Sequence, residues 1–145
     1  MSDRIEKTVE LQAPVSRVWR ALTDVREFNT WFRAALEGTF APGARVDGHS
    51  TYPGHEDARF DLIVDRMEPE RLFAFTWPHG SEPGGPRTLV EFQLEPTTTG
   101  TRLTVRESGF DQLPAVLRDQ AFRDNEGGWA IQMANITEHV SGARA

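Results

Sequence analysis

His49 and His79 are the side chains of this sequence best suited to moving a proton, because an imidazole changes charge near neutral pH. His79 follows Trp77-Pro78 at the end of an alternating segment, and His49 lies in a weakly patterned one. Either could offer a nitrogen to a ligand or act as a general base, although a lone histidine serves equally well as a surface or core residue. His55-Glu56-Asp57 has the residue types of a metal site, but adjacent residues in a strand or turn point in alternating directions, so no metal is expected there. The sequence contains no cysteine, Gly-x-Ser-x-Gly elbow, phosphate-binding glycine loop or His-Glu-x-x-His. No catalytic residue and no cofactor is therefore assigned. The glycine-rich stretch Gly80–Pro86 holds two prolines and is not followed by a helix, so it reads as a loop at the mouth of a pocket, with a lid role open.

A second group of residues has the chemistry of an apolar lining. Phe60, Phe75, Trp77, Phe92, Trp129 and Met133 are expected to face one interior space; the plain alternative is that they are simply core. An empty pocket of about 300 Å³ would cost roughly 7 kcal/mol at about 24 cal/mol per Å³. Any such space should therefore hold water, a ligand or the protein's own rings.

The elements that must position these residues are read from periodicity. Ile5–Leu11 alternates as a half-buried strand, and Pro14 opens a short helix with Val15, Val18, Trp19 and Leu22 at helical spacing. Asp24 caps a second short helix through Asn29, with Phe28, Trp31 and Phe32 as an aromatic knot behind it. Strands are expected at Arg45–Thr51, Ala58–Asp65, Leu72–Trp77, Arg87–Glu95 and Thr101–Glu107, separated by turns such as Glu68-Pro69-Glu70 and Thr97–Gly100. In the last strand Leu103 and Val105 point inward, whereas Asp61 and Asp65 are read as solubilising charge on the outer face. From Pro114 a helix of about 27 residues would reach roughly 40 Å, with Leu117, Ala121, Trp129, Met133, Ile136 and Val140 on one face. Gly127-Gly128 predicts a bend, a break or a close approach. One α+β domain over residues 1–145 follows, with a curved six-stranded antiparallel sheet wrapped around the long C-terminal helix and two short helices after the first strand.

Composition narrows the function. A net charge of -6 with dispersed basic residues argues against nucleic acid as a partner. The charged N-terminus has no apolar leader and no segment approaches the length of a membrane span, so a cytoplasmic protein is expected.

The order of elements, with the strings Ala13-Pro14, Val18-Trp19, Leu22-Thr23-Asp24, Trp31-Phe32, Thr76-Trp77, Thr88-Leu89-Val90 and Thr101–Thr104, resembles the helix-grip, START-like superfamily called SRPBCC. Ser108-Gly109-Phe110 and Gly128-Trp129 are most similar to its branch named for the activator of the heat-shock protein 90 ATPase. The resemblance implies a pocket between sheet and helix without naming its ligand. The leading expectation is a protein that binds a small hydrophobic molecule, lipid-like or aromatic, with His49 and His79 bordering the apolar lining. One alternative is a cyclase- or hydrolase-like enzyme using one of these histidines. Another, by family analogy alone, is a module acting on a chaperone. A homodimer is left open.

Overall fold

The computed structural model describes residues 4–56, 58–79 and 85–142. The chain runs β1 (Arg4–Leu11), α1 (Val15–Thr23), α2 (Val25–Phe32), β2 (Ala34–Glu37), β3 (Arg45–Ser50), β4 (Arg59–Glu68), β5 (Leu72–Pro78), β6 (Arg87–Pro96), β7 (Thr101–Ser108), a short 3-10 turn at Phe110–Gln112, and α3 (Ala115–Gly142). All neighbouring strands are antiparallel, in the order β1-β7-β6-β5-β4-β3-β2. This is the expected α+β helix-grip architecture. Alternation builds its inner face: Thr88, Val90, Phe92 and Leu94 of β6 are all buried, as are Thr101, Leu103, Val105 and Glu107 of β7. Trp129, Met133, Ile136 and Val140 of α3 are buried in the same core. No helix among the described residues is long and apolar enough to cross a membrane.

The structure departs from the sequence expectation at identifiable points. The sheet has seven strands rather than six, because Ala34–Glu37 pairs with β3. These four residues are too short to show a period, and Ala, Leu and Glu favour helices. Asn29 fixes the strand instead, its amide donating to the Leu36 carbonyl and accepting from the Leu36 N–H, each at 3.0 Å. Opposite Leu36 stands Gly48, where a methyl group would lie 2.0 Å from the Ala35 carbonyl oxygen, so only glycine lets β2 lie this close. The second helix continues past Asn29 to Phe32 and ends on Arg33 at φ 66.

In α3, Gly127-Gly128 produces neither a break nor a close approach: the helix is continuous, and a methyl group on either glycine would meet nothing within 4 Å. Burial of the four apolar side chains that follow outweighs a helix penalty of about 1 kcal/mol per glycine. Leu117 was expected to face inward but is 39% exposed, and only Ala121 and Phe122 of the early turns pack partly on the core. Asp61 is not solubilising charge. It is buried on β4, 3.0 Å from Arg87 and 3.4 Å from Arg45, because the long arginine side chains of β6, reaching across β5, and of β3 lie over it.

Candidate functional site

Glu107 is the most unusual side chain of the core. It is the last inward position of β7, one alternation beyond Val105, and none of it is exposed. An ionised carboxylate held this deep is costly unless every oxygen is hydrogen-bonded. Its partners come from β5, β6 and α3. The Trp77 and Trp129 indoles each donate at 2.8 Å, the Asn125 amide at 2.9 and 3.0 Å, and the Thr88 hydroxyl at 2.5 Å. His79 Nε2 lies 3.2 Å from the carboxylate and 2.9 Å from Thr88 Oγ. Since Thr88 gives its one proton to Glu107, its oxygen accepts from His79, so Nε2 carries a hydrogen. Every contact to the carboxylate is thus a donor.

Burial pushes the Glu107 carboxyl upward, but the hydrogen bonds from His79, Thr88, Trp77 and Trp129 outweigh it and hold the group below its ordinary value near 4.5. With the folded-state value depressed, the contribution to stability is present above the unfolded value and is lost as pH falls through the folded one. Glu27 behaves alike. Partial burial raises it, and hydrogen bonds from His139 and Arg17, the Arg17 charge and a hydrogen bond from Arg20 lower it further. Chemical denaturation should therefore show stability falling as pH drops below about 4.5, with a shallower fall in Glu107→Gln. Equal slopes in the two proteins would show that Glu107 does not carry the acid response.

The expected lining separates into two groups. Phe75, Phe92, Trp129 and Met133 are buried core, whereas Phe60 and Trp77 are half-buried and meet the half-buried Phe32 of α2. Ring centroids lie 5.9 Å apart for Phe32 and Trp77, 6.3 Å for Phe32 and Phe60, and 6.4 Å for Phe60 and Trp77. Trp129 stacks beneath Trp77 at 5.4 Å. These rings form an aromatic rim at the end of the sheet where β5 stops and β6 starts. On α3, Asn125 reaches Glu107 and Gln132 donates to the Phe32 carbonyl at 3.0 Å. Between them on the same helical stripe is half-buried Gly128, with open space in front of it.

His79 belongs to this site, with its ring edge-on to Phe110 at 5.8 Å. His49 stands on β3 opposite Ala35 and Arg59, with Nδ1 2.9 Å from the Ser50 carbonyl, and takes no part in the Glu107 network. Of the loop expected at the pocket mouth, residues 80–84 lie outside the described residues, as does Asp57. No cluster of three or more metal-ligating side chains occurs among the described residues. Elsewhere an open hollow of about 480 Å³ is lined by Thr23, Asp24, Val25, Arg26, Gly38 and Thr39. There Asp24 is already occupied in capping α2.

Glu107, Thr88, Asn125 and Phe32 were absent from the sequence-based lining. A signal for two of them was present: extending the alternation of Leu103 and Val105 by one step puts Glu107 inside, and Thr88 shares the face of Val90 and Phe92.

Comparison with known proteins gives a family and a set of folds. Residues 12–141 match the family described as Activator of Hsp90 ATPase homolog 1-like protein. DynU16, a protein in the dynemicin biosynthetic locus, is 27% identical with a TM-score of 0.77. The alignment covers 97% of this chain and 48% of DynU16, so the chain spans about half of that protein. MLL2253 from Mesorhizobium loti is 22% identical, covering 98% of this chain and 99% of that one, with a TM-score of 0.81. The Aha1 dimer from Colwellia psychrerythraea is 15% identical over 100% of both chains, with a TM-score of 0.77. Curated proteins give no match.

Proposed function

The chain belongs to the Activator of Hsp90 ATPase homolog 1-like family, and from that premise we propose that it binds a small hydrophobic or aromatic molecule at the aromatic rim. The observation that carries this reading is that Phe32, Phe60 and Trp77 cluster yet stay half-buried, beside a helix that leaves open space at Gly128. Large rings gain about 25 cal/mol per Å² of apolar area removed from water. An apolar ligand laid across Trp77 and Gly128 would complete that burial. His79 and Asn125 supply the few polar groups such a site needs for orientation.

Native mass spectrometry against a hydrophobic library tests the binding, and Gly128 tests the place. Gly128→Ala should stabilise the helix by about 0.5–1 kcal/mol. Gly128→Leu should fold but lose most ligand affinity, because its side chain fills the space. Unchanged affinity in Gly128→Leu would move the site elsewhere, and no captured ligand at all would sink the reading.

One observation favours a second reading, the enzyme with a pocket histidine. Glu107 and Thr88 hold His79 by Nε2, in the way a buried carboxylate orients a general base through the nitrogen not used in chemistry. His49 meets only the Ser50 carbonyl, with no carboxylate on its ring among the described residues. Turnover of a bound compound that survives in His79→Gln would remove this reading. The chaperone-directed role rests on the family description alone, and the solved dimer in the same fold supports proposing a homodimer, which sedimentation would check.

A further inference from the structure

The charge behind the rim points to the chemistry of the ligand, on the premise that the rim is the binding site. Among the described residues no arginine or lysine reaches Glu107, and His79 is its only ionisable neighbour; the other partners are neutral donors. The carboxylate sits directly behind the indoles. Trp77 donates its N–H to that carboxylate while its ring is half-buried against Phe32 and Phe60. An N–H given to an anion leaves the indole π face more electron-rich, and aromatic faces already carry the negative side of the ring quadrupole. An anionic ligand would approach these negative faces and the carboxylate at a cost, and a neutral one would ignore both.

We propose that the rim formed by Phe32, Phe60 and Trp77 recognises an organic ammonium group on an apolar ligand, with Glu107 as the buried counter-charge behind Trp77. The same end of the molecule already shows this mode of contact. Arg33, the residue after Phe32, places its guanidinium 5.6 Å from the Tyr52 ring centroid. Arg33 itself opposes a second cation, but it is exposed and screened by solvent, whereas Glu107 is not. The net charge of -6 adds a general attraction for cations. The hydrogen bonds that hold the Glu107 carboxyl below its ordinary value keep the counter-charge in place at neutral pH.

Two probes of the same shape test this: benzyltrimethylammonium and its neutral isostere neopentylbenzene, compared on the whole chain by ligand-observed NMR titration. The cation should bind about tenfold more tightly. Glu107→Gln should abolish the preference, so that the two probes bind it with equal affinity. Trp77→Phe, which keeps a ring but removes the N–H donated to Glu107, should narrow the preference and serves if the glutamine variant does not fold. Equal affinity for the two probes in the wild-type chain would overturn the ammonium proposal while leaving apolar binding at the rim intact. Binding of neither would overturn both.

Discussion

Glu107→Ala should cost about 4 kcal/mol or more, a large part of the 5–15 kcal/mol that typically holds a domain of this kind together. The reason lies in the partners rather than in the carboxylate itself. Truncation leaves the Trp77 and Trp129 indoles, the Asn125 amide and the Thr88 hydroxyl without their acceptor, and Trp129 and Thr88 lie in a region that water does not reach. Each buried donor so abandoned costs about 1–3 kcal/mol, partly recovered where a side chain can turn outward. Asn125 and His79 are half-buried and have that freedom, but Trp129 and Thr88 do not. Glu107→Gln keeps the shape and one accepting oxygen but turns an amide N–H₂ toward other donors, so a loss of about 1–2 kcal/mol is expected. Urea denaturation followed by tryptophan fluorescence checks both. Losses of the same small size in both variants would mean that the network is not a cooperative part of the core.

Much of the fold was legible because the inner face of the sheet follows a period of two, interrupted in β4 by a register shift between Val64 and Arg66. The strand that escaped, Ala34–Glu37, is held by Asn29 and by the close approach at Gly48, and neither leaves a periodic trace. The glycine pair in α3 leaves the helix unbroken for a related reason. Helix propensity is local, while the burial of Trp129, Met133, Ile136 and Val140 is tertiary and larger. The aromatic half of the candidate site was visible as Phe60, Trp77 and Trp129. Of its polar half only His79 was, since a glutamate ending a strand reads as a solvent-facing charge unless the alternation is followed through it. Only the three-dimensional meeting of β5, β6 and α3 shows that two indoles and a histidine converge on it. His79 was singled out for its imidazole, and the geometry adds what that imidazole is attached to.

Trp77 and Trp129 look equivalent in the sequence and donate to the same carboxylate, yet their replacement should separate stability from binding. Trp129 is 2% exposed and lies between α3 and the sheet, touching Phe32, Trp77 and Phe92. Trp129→Ala removes a fully packed ring, a change worth about 3–5 kcal/mol, and takes one donor from Glu107 as well. A loss of about 4–5 kcal/mol is expected, enough to populate the unfolded chain measurably at moderate temperature. Trp77 is half-buried at the rim, so Trp77→Ala opens a space that solvent can enter and should cost about 2 kcal/mol. It should also abolish binding of rim ligands in a chain that remains folded. Circular dichroism melts with ligand titration on the same two proteins make the comparison. If Trp77→Ala proved as destabilising as Trp129→Ala and still bound ligand when folded, the rim would be ordinary core, and the site would have to be sought away from it.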